Sequence, residues 1–200
     1  MLRTIHDLVA LGESGLRELW SRGTVVAPED LAGWVFRGWN TSLLAARSPV
    51  GGRAFAKGFF RHGAGVEGCN FLVRLHEGDW QIDTSRPFGF FAVSPADTSG
   101  WTRHRGNRRG KRALLLDYGR GWDRENPERW HVPLEWRLRV VSRLARVLRD
   151  LVVRPPNAAD GLYVGRAFMT SALKLPVSCF ALERWCAMPV WPAAQAEGAA

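Results

Sequence analysis

The 200-residue chain is short of several things that would name a chemistry. It has three cysteines, Cys69, Cys179 and Cys186, an odd count without paired spacing, so no disulfide framework is expected. Cys179 and Cys186 do not stand at a metal-ligand spacing. The histidines His6, His62, His76, His104 and His131 form neither His-Glu-x-x-His nor His-x-His, and no metal centre is expected. No Gly-x-Ser-x-Gly occurs, and the glycine-rich stretch 51–68 lacks the Lys-Ser/Thr ending of a phosphate loop. No cofactor is implied. No run approaches the roughly 18 apolar residues of a spanning helix. Asp7 and Glu13 break the segment after Arg3, so no signal peptide is expected and the cytoplasm is the default. Lysine is scarce: only Lys57, Lys111 and Lys174 among 28 cations.

What is present is an ordinary globular mixture, 46% apolar and 24% charged, with a heavy load of ten Trp and ten Phe. Rings in that number suit a core or a ligand cavity. The net charge of +9 sits mainly in two stretches. Segment 101–112 carries Arg103, Arg105, Arg108, Arg109, Lys111 and Arg112 and no acid. Segment 135–154 carries six Arg against Glu135 and Asp150.

The hydrophobic period divides the chain. Residues 4–21 read as a helix opened by a Thr4/Asp7 capping box, with Ile5, Leu8, Leu16 and Trp20 on one face. Pro28-Glu29-Asp30 begins a turn. From Trp34 the period becomes two, predicting strands over 34–40, 53–61, 69–76, 79–83, 87–93 and 113–118. Residues 133–152 return to a helical period, although DLVVR at its end reads equally well as a strand. Segments 161–171 and 176–184 form a closing hairpin pair. The expected fold is α+β: eight or nine short strands in a mostly antiparallel barrel or strongly curved sheet, with an N-terminal helix and a late helix packed outside. One domain is expected over 1–185, comprising helix and turn at 1–32 and a barrel at 33–185 that includes helix 133–150. A loose tail follows at 186–200.

Polar residues inside apolar strands mark a site. Lys57 lies between Phe55 and Phe59, Asn70 precedes Phe71-Leu72-Val73, Asp117 follows three leucines, and Arg166 shares a face with Leu162, Val164 and Phe168. If these faces point inward, the polar groups must be paired or meet a ligand. If they point outward, Lys57 and Arg166 are solvated and Asp117 ends its strand. The inward reading gives a cavity in which Trp39, Phe59, Phe88, Phe90, Leu116 and Tyr163 supply apolar contact, while Lys57, Asn70, Asp117 and Arg166 meet the ligand's polar end. The partner is then a small apolar or amphipathic molecule. Two other readings stand beside it. The basic loop 101–112 and an arginine face over 137–149 would meet a nucleic acid or an anionic membrane. A cavity enzyme would use Asp117 and His76, with His76–Asp83 or Asp117–Tyr118 as the acid–base pair.

Trp34 and Trp39 stand beside Gly33 and Gly38 at the start of the β region. Here the chain resembles the lipocalin (calycin) superfamily, over roughly 34–184. That family opens its barrel with a Gly-x-Trp strand after a short N-terminal helix and closes it with a late cation over the Trp. DLAGWVFRGWN has Gly-Trp twice and no Gly-x-Trp. The resemblance implies an enclosed barrel that binds small hydrophobic ligands, with Arg166 or Arg184 as the late cation.

Overall fold

The structure is a computed structural model that describes residues 1–42, 52–99, 101, 112–121, 140, 143–170 and 174–189. Eight strands form one closed antiparallel barrel in chain order: β1 (Trp34–Asn40), β2 (Ala54–His62), β3 (Gly65–His76), β4 (Asp79–Asp97), β5 (Arg112–Asp117), β6 (Leu148–Val153), β7 (Leu162–Thr170) and β8 (Lys174–Ala187). The seam between β1 and β8 shuts it, from Trp34 opposite Ala187 to Asn40 opposite Phe180. Closure gives each of the eight strands a neighbour on both sides, although β4 pairs with β5 only over Ala92–Asp97.

The protein is mostly β. The expected N-terminal helix is two helices, α1 (Ile5–Ala10) and α2 (Gly12–Arg22). The Thr4/Asp7 capping box forms as expected, and Gly12 at φ +65° breaks the axis. Both lie outside the wall, where Leu8, Leu16 and Trp20 cover Leu151, Val164, Phe168 and Cys179. The Trp20 indole donates to the Leu151 carbonyl at 3.0 Å. Among the described residues no helix is long and apolar enough to cross a membrane.

Three boundaries differ from the sequence reading. The two segments 79–83 and 87–93 are one strand, β4, which bends at register shifts opposite Asn70 and so tolerates Pro87. Helix 133–150 does not reach its expected end. Residues 143–145 are helical, but Leu148–Val153 is β6, and most of 133–142 lies outside the described residues. Cys186 and Ala187, expected at the start of a tail, belong to β8, and 190–200 lie outside the described residues.

The end of the barrel where β1 begins is closed by the chain before it. A single 3-10 turn, Pro28–Asp30, brings Val26 and Leu31 into the same buried cluster as the interior rings. The Gly33 amide donates to the Phe59 carbonyl at 2.8 Å. On β8, Arg184 lays its guanidinium 4.8 Å from the Trp34 ring centre and donates to the Asp30 carbonyl at 3.4 Å and to Asp160 at 3.2 Å. Of Arg166 and Arg184, it is Arg184 that lies over Trp34, the first residue of β1.

Candidate functional site

Inward-facing rings meet in edge-to-face or tilted contacts across the barrel. Tyr163 touches Phe36, Phe36 touches Phe59, Phe59 touches Phe91 and Phe91 touches Tyr118, with centroids 5.1–5.6 Å apart. They fit because their neighbours have no side chain: a Cβ on Gly68 would strike the Phe91 ring, and one on Gly165 the Phe180 ring. Phe36, Phe59, Phe91, Leu114, Leu116 and Tyr163 are each 0% exposed. Walls with no accessible surface bound no water-sized void, so this half of the barrel is packed solid.

On the far side of that layer the interior turns polar. Lys57 on β2, Asn70 on β3, Tyr118 just past β5 and Asp150 on β6 meet inside the barrel. The Lys57 ammonium donates to Asn70 Oδ1 at 3.0 Å, to Asp150 Oδ2 at 3.1 Å and to the Tyr118 hydroxyl. Those three acceptors use all three of its protons. Tyr118 in turn donates to Asp150 Oδ2 at 3.1 Å. Asn70 Nδ2 donates to the Gly89 carbonyl at 3.0 Å, and Gly89 holds φ +54° at the bend of β4. The bulge in β4 thus turns a backbone carbonyl toward the amide.

The ammonium also lies 5.0–5.8 Å from the rings of Phe55, Phe91, Tyr118 and Phe180. Burial pushes Lys57 down from the usual ammonium range, and the Asp150 carboxylate beside it pulls the other way. Burial lifts the Tyr118 phenol well above its usual range, and the Asp150 charge adds to that lift. Tyr118 is therefore a neutral donor. The group as a whole pairs one cation with one anion.

Beyond this tetrad, toward the end away from the 3-10 turn, inward-facing side chains are no longer sealed. Phe55, Asn70, Leu72 and Leu148 are only half-buried. Leu72 follows Asn70 on the same face of β3 and lines a cavity of about 250 Å³ with Arg74, Gln81, Ile82, Asp83 and Arg86. Arg86 is paired with Asp83 at 2.9 Å.

Of the residues named from sequence, Lys57, Phe59, Asn70, Leu116 and Tyr163 face the interior, and Phe88 is buried opposite Asn70 in the ladder. Four face outward. Trp39 meets Trp80 edge to face at 6.3 Å, and Phe90 packs with Val35, Ala54 and Phe71. Asp117 points outward as β5 ends: its Oδ1 accepts from the Gly119 and Arg120 amides and from Arg149 Nε at 2.7 Å. Arg166 lies under α2, between Trp20 and Phe168 at 5.2 and 5.1 Å. Neither Asp117 nor Arg166 can orient a molecule inside the barrel.

The acid–base pairs do not form either. His76 ends β3 at an exposed hairpin tip, and Asp83 is engaged with Ser85 and Arg86. An arginine face running to 149 is interrupted, since Arg149 belongs to β6 and is bound to Asp117. Arg112 is exposed at the start of β5, and Arg103, Arg105, Arg108, Arg109 and Lys111 lie outside the described residues. Among the described residues no group of three or more His, Cys, Asp or Glu side chains could hold a metal ion.

Sequence reasoning missed Asp150, which the helical period assigned to a solvated face, and placed Tyr118 in a cavity only as an acid–base partner of Asp117, whereas its hydroxyl meets Lys57 and Asp150. The signal was in the alternative strand reading of DLVVR. As a strand, Leu148, Asp150 and Val152 share one side, with a single acid between two apolar residues.

The strand count, order and closure are consistent with a calycin-like barrel. Comparison with protein-family models, curated proteins and solved structures finds no match for the chain.

Proposed function

We propose that this protein binds a small apolar or amphipathic molecule inside its barrel, between the polar tetrad and the end away from the 3-10 turn, without chemical turnover. The observation that carries the reading is the ion-paired tetrad halfway along a ring-lined tube. Its near side is sealed by rings, and its far side is lined by half-buried Phe55, Leu72 and Leu148. A buried ion pair contributes little net stability compared with apolar residues of the same volume, so stability alone does not account for it. An apolar wall with a few fixed polar groups is the usual makeup of a ligand site.

The Arg184–Trp34 contact over the 3-10 turn further supports a lipocalin-like relationship. Burying a drug-sized molecule against several rings would give an affinity in the micromolar range, about −8 kcal/mol.

The test is binding of Nile red, a neutral dye that fluoresces in apolar surroundings. The full chain should bind it saturably. Leu72→Trp, which narrows the far side of the tetrad, should weaken binding by about tenfold or more while leaving the denaturation midpoint in place. Saturable binding unaffected by Leu72→Trp would place the dye elsewhere and overturn the reading, as would no binding at all.

A further inference from the structure

We propose that the ligand group docking on the tetrad is a neutral hydroxyl, not a carboxylate and not an ammonium; this rests on the barrel reading above. A lysine inside a barrel invites the opposite conclusion, an acid seated on a cation. The hydrogen-bond inventory argues against that. All three Lys57 protons are directed at Asn70, Asp150 and Tyr118, and none is left for a ligand. The Tyr118 proton is directed at Asp150.

Two capacities remain. Asp150 accepts both of its bonds at Oδ2, and its Oδ1 accepts none from any described residue. Asn70 spends one Nδ2 proton on the Gly89 carbonyl, and an amide nitrogen carries two. Asp150 Oδ2 and Asn70 Oδ1 bond the same ammonium, so these side chains stand no farther apart than two hydrogen-bond lengths. A hydroxyl oxygen matches the pair: it donates to Asp150 Oδ1 and accepts from Asn70 Nδ2.

Charge selects in the same direction. Lys57 and Asp150 cancel one another, and both are at least 95% buried. A carboxylate would bring a second anion toward the free oxygen of Asp150. An ammonium would bring a second cation toward Lys57. Either leaves an uncompensated charge where solvation is poor.

The experiment displaces Nile red from the full chain at neutral pH with decanol, decanoate and decylamine, which share a tail and differ in the head. Decanol is expected to displace the dye at about tenfold lower concentration than either ion. In Asp150→Asn, which removes the anion, the preference for decanol over decanoate should shrink. If that variant does not fold, the wild-type order decides alone. Decanoate or decylamine matching or beating decanol overturns the hydroxyl assignment and leaves the barrel reading standing. Failure of Nile red itself to bind removes the barrel reading, and the assignment with it.

Discussion

Lys57 is one of three lysines in a chain that otherwise uses arginine, and its geometry explains why arginine would not serve. Three acceptors around one point suit a compact ammonium; a planar guanidinium needs them in a fork. Lys57→Arg should lower stability by about 1–3 kcal/mol in urea unfolding, through overpacking among four rings. The pair also makes a sharper prediction. Asp150→Leu alone leaves a buried ammonium facing an apolar group and should cost about 3–5 kcal/mol. The double change Lys57→Met with Asp150→Leu should recover most of that loss, because no charge is then stranded. Equal losses in the single and double variants would mean that packing, not charge, governs the site. At this scale the sequence was half legible. Alternation alone puts Lys57 with Phe55 and Phe59, and Asn70 with Leu72. Nothing local shows that Asp117 turns out to meet Arg149 while Asp150, its neighbour across the ladder by one residue, turns in.

Element by element, strands bounded by turns were readable and segments without clear punctuation were not. The β7–β8 hairpin follows from apolar runs around a short connection. β6 was obscured because LRDLVV satisfies a helical and a strand period together, and only pairing with β5 and β7 decides it. The docking of α2 rests on a contact invisible in sequence. Glu13 accepts from the Thr41 hydroxyl and from the Cys179 amide at 3.1 Å, which ties the helix to the wall. Burial alone would raise its carboxyl, but those hydrogen bonds outweigh the effect and hold it below its ordinary 4.5. A carboxyl lowered by folding stabilises above its ordinary range and loses that contribution as pH falls through its folded value. Amide exchange in Gly12–Arg22 should therefore accelerate below about pH 4.5 beyond what intrinsic chemistry gives. Glu13→Gln should exchange faster at neutral pH and show little of that dependence.

For the whole molecule, the closed meander was foreseeable from many short strands with brief connections, whereas the solid half and the polar half were not. Which side of each strand faces inward is set by ladder register across all eight. The 3-10 turn is held from outside by Arg184 on the last strand, so the first and last segments of the barrel depend on one another. Arg184→Ala removes a ring contact and its hydrogen bonds and should cost about 1–2 kcal/mol in denaturant unfolding. Trp34→Ala should cost less on top of it than alone. Additive losses would mean that the two side chains act independently.

Seven of the eight seams join strands that follow one another along the chain, so each closes over a shorter stretch than the eighth. The eighth ties Arg37 to Glu183, 146 positions away, and must wait until the intervening strands have brought the ends together. The loop-closure entropy of that step is the largest among the eight seams.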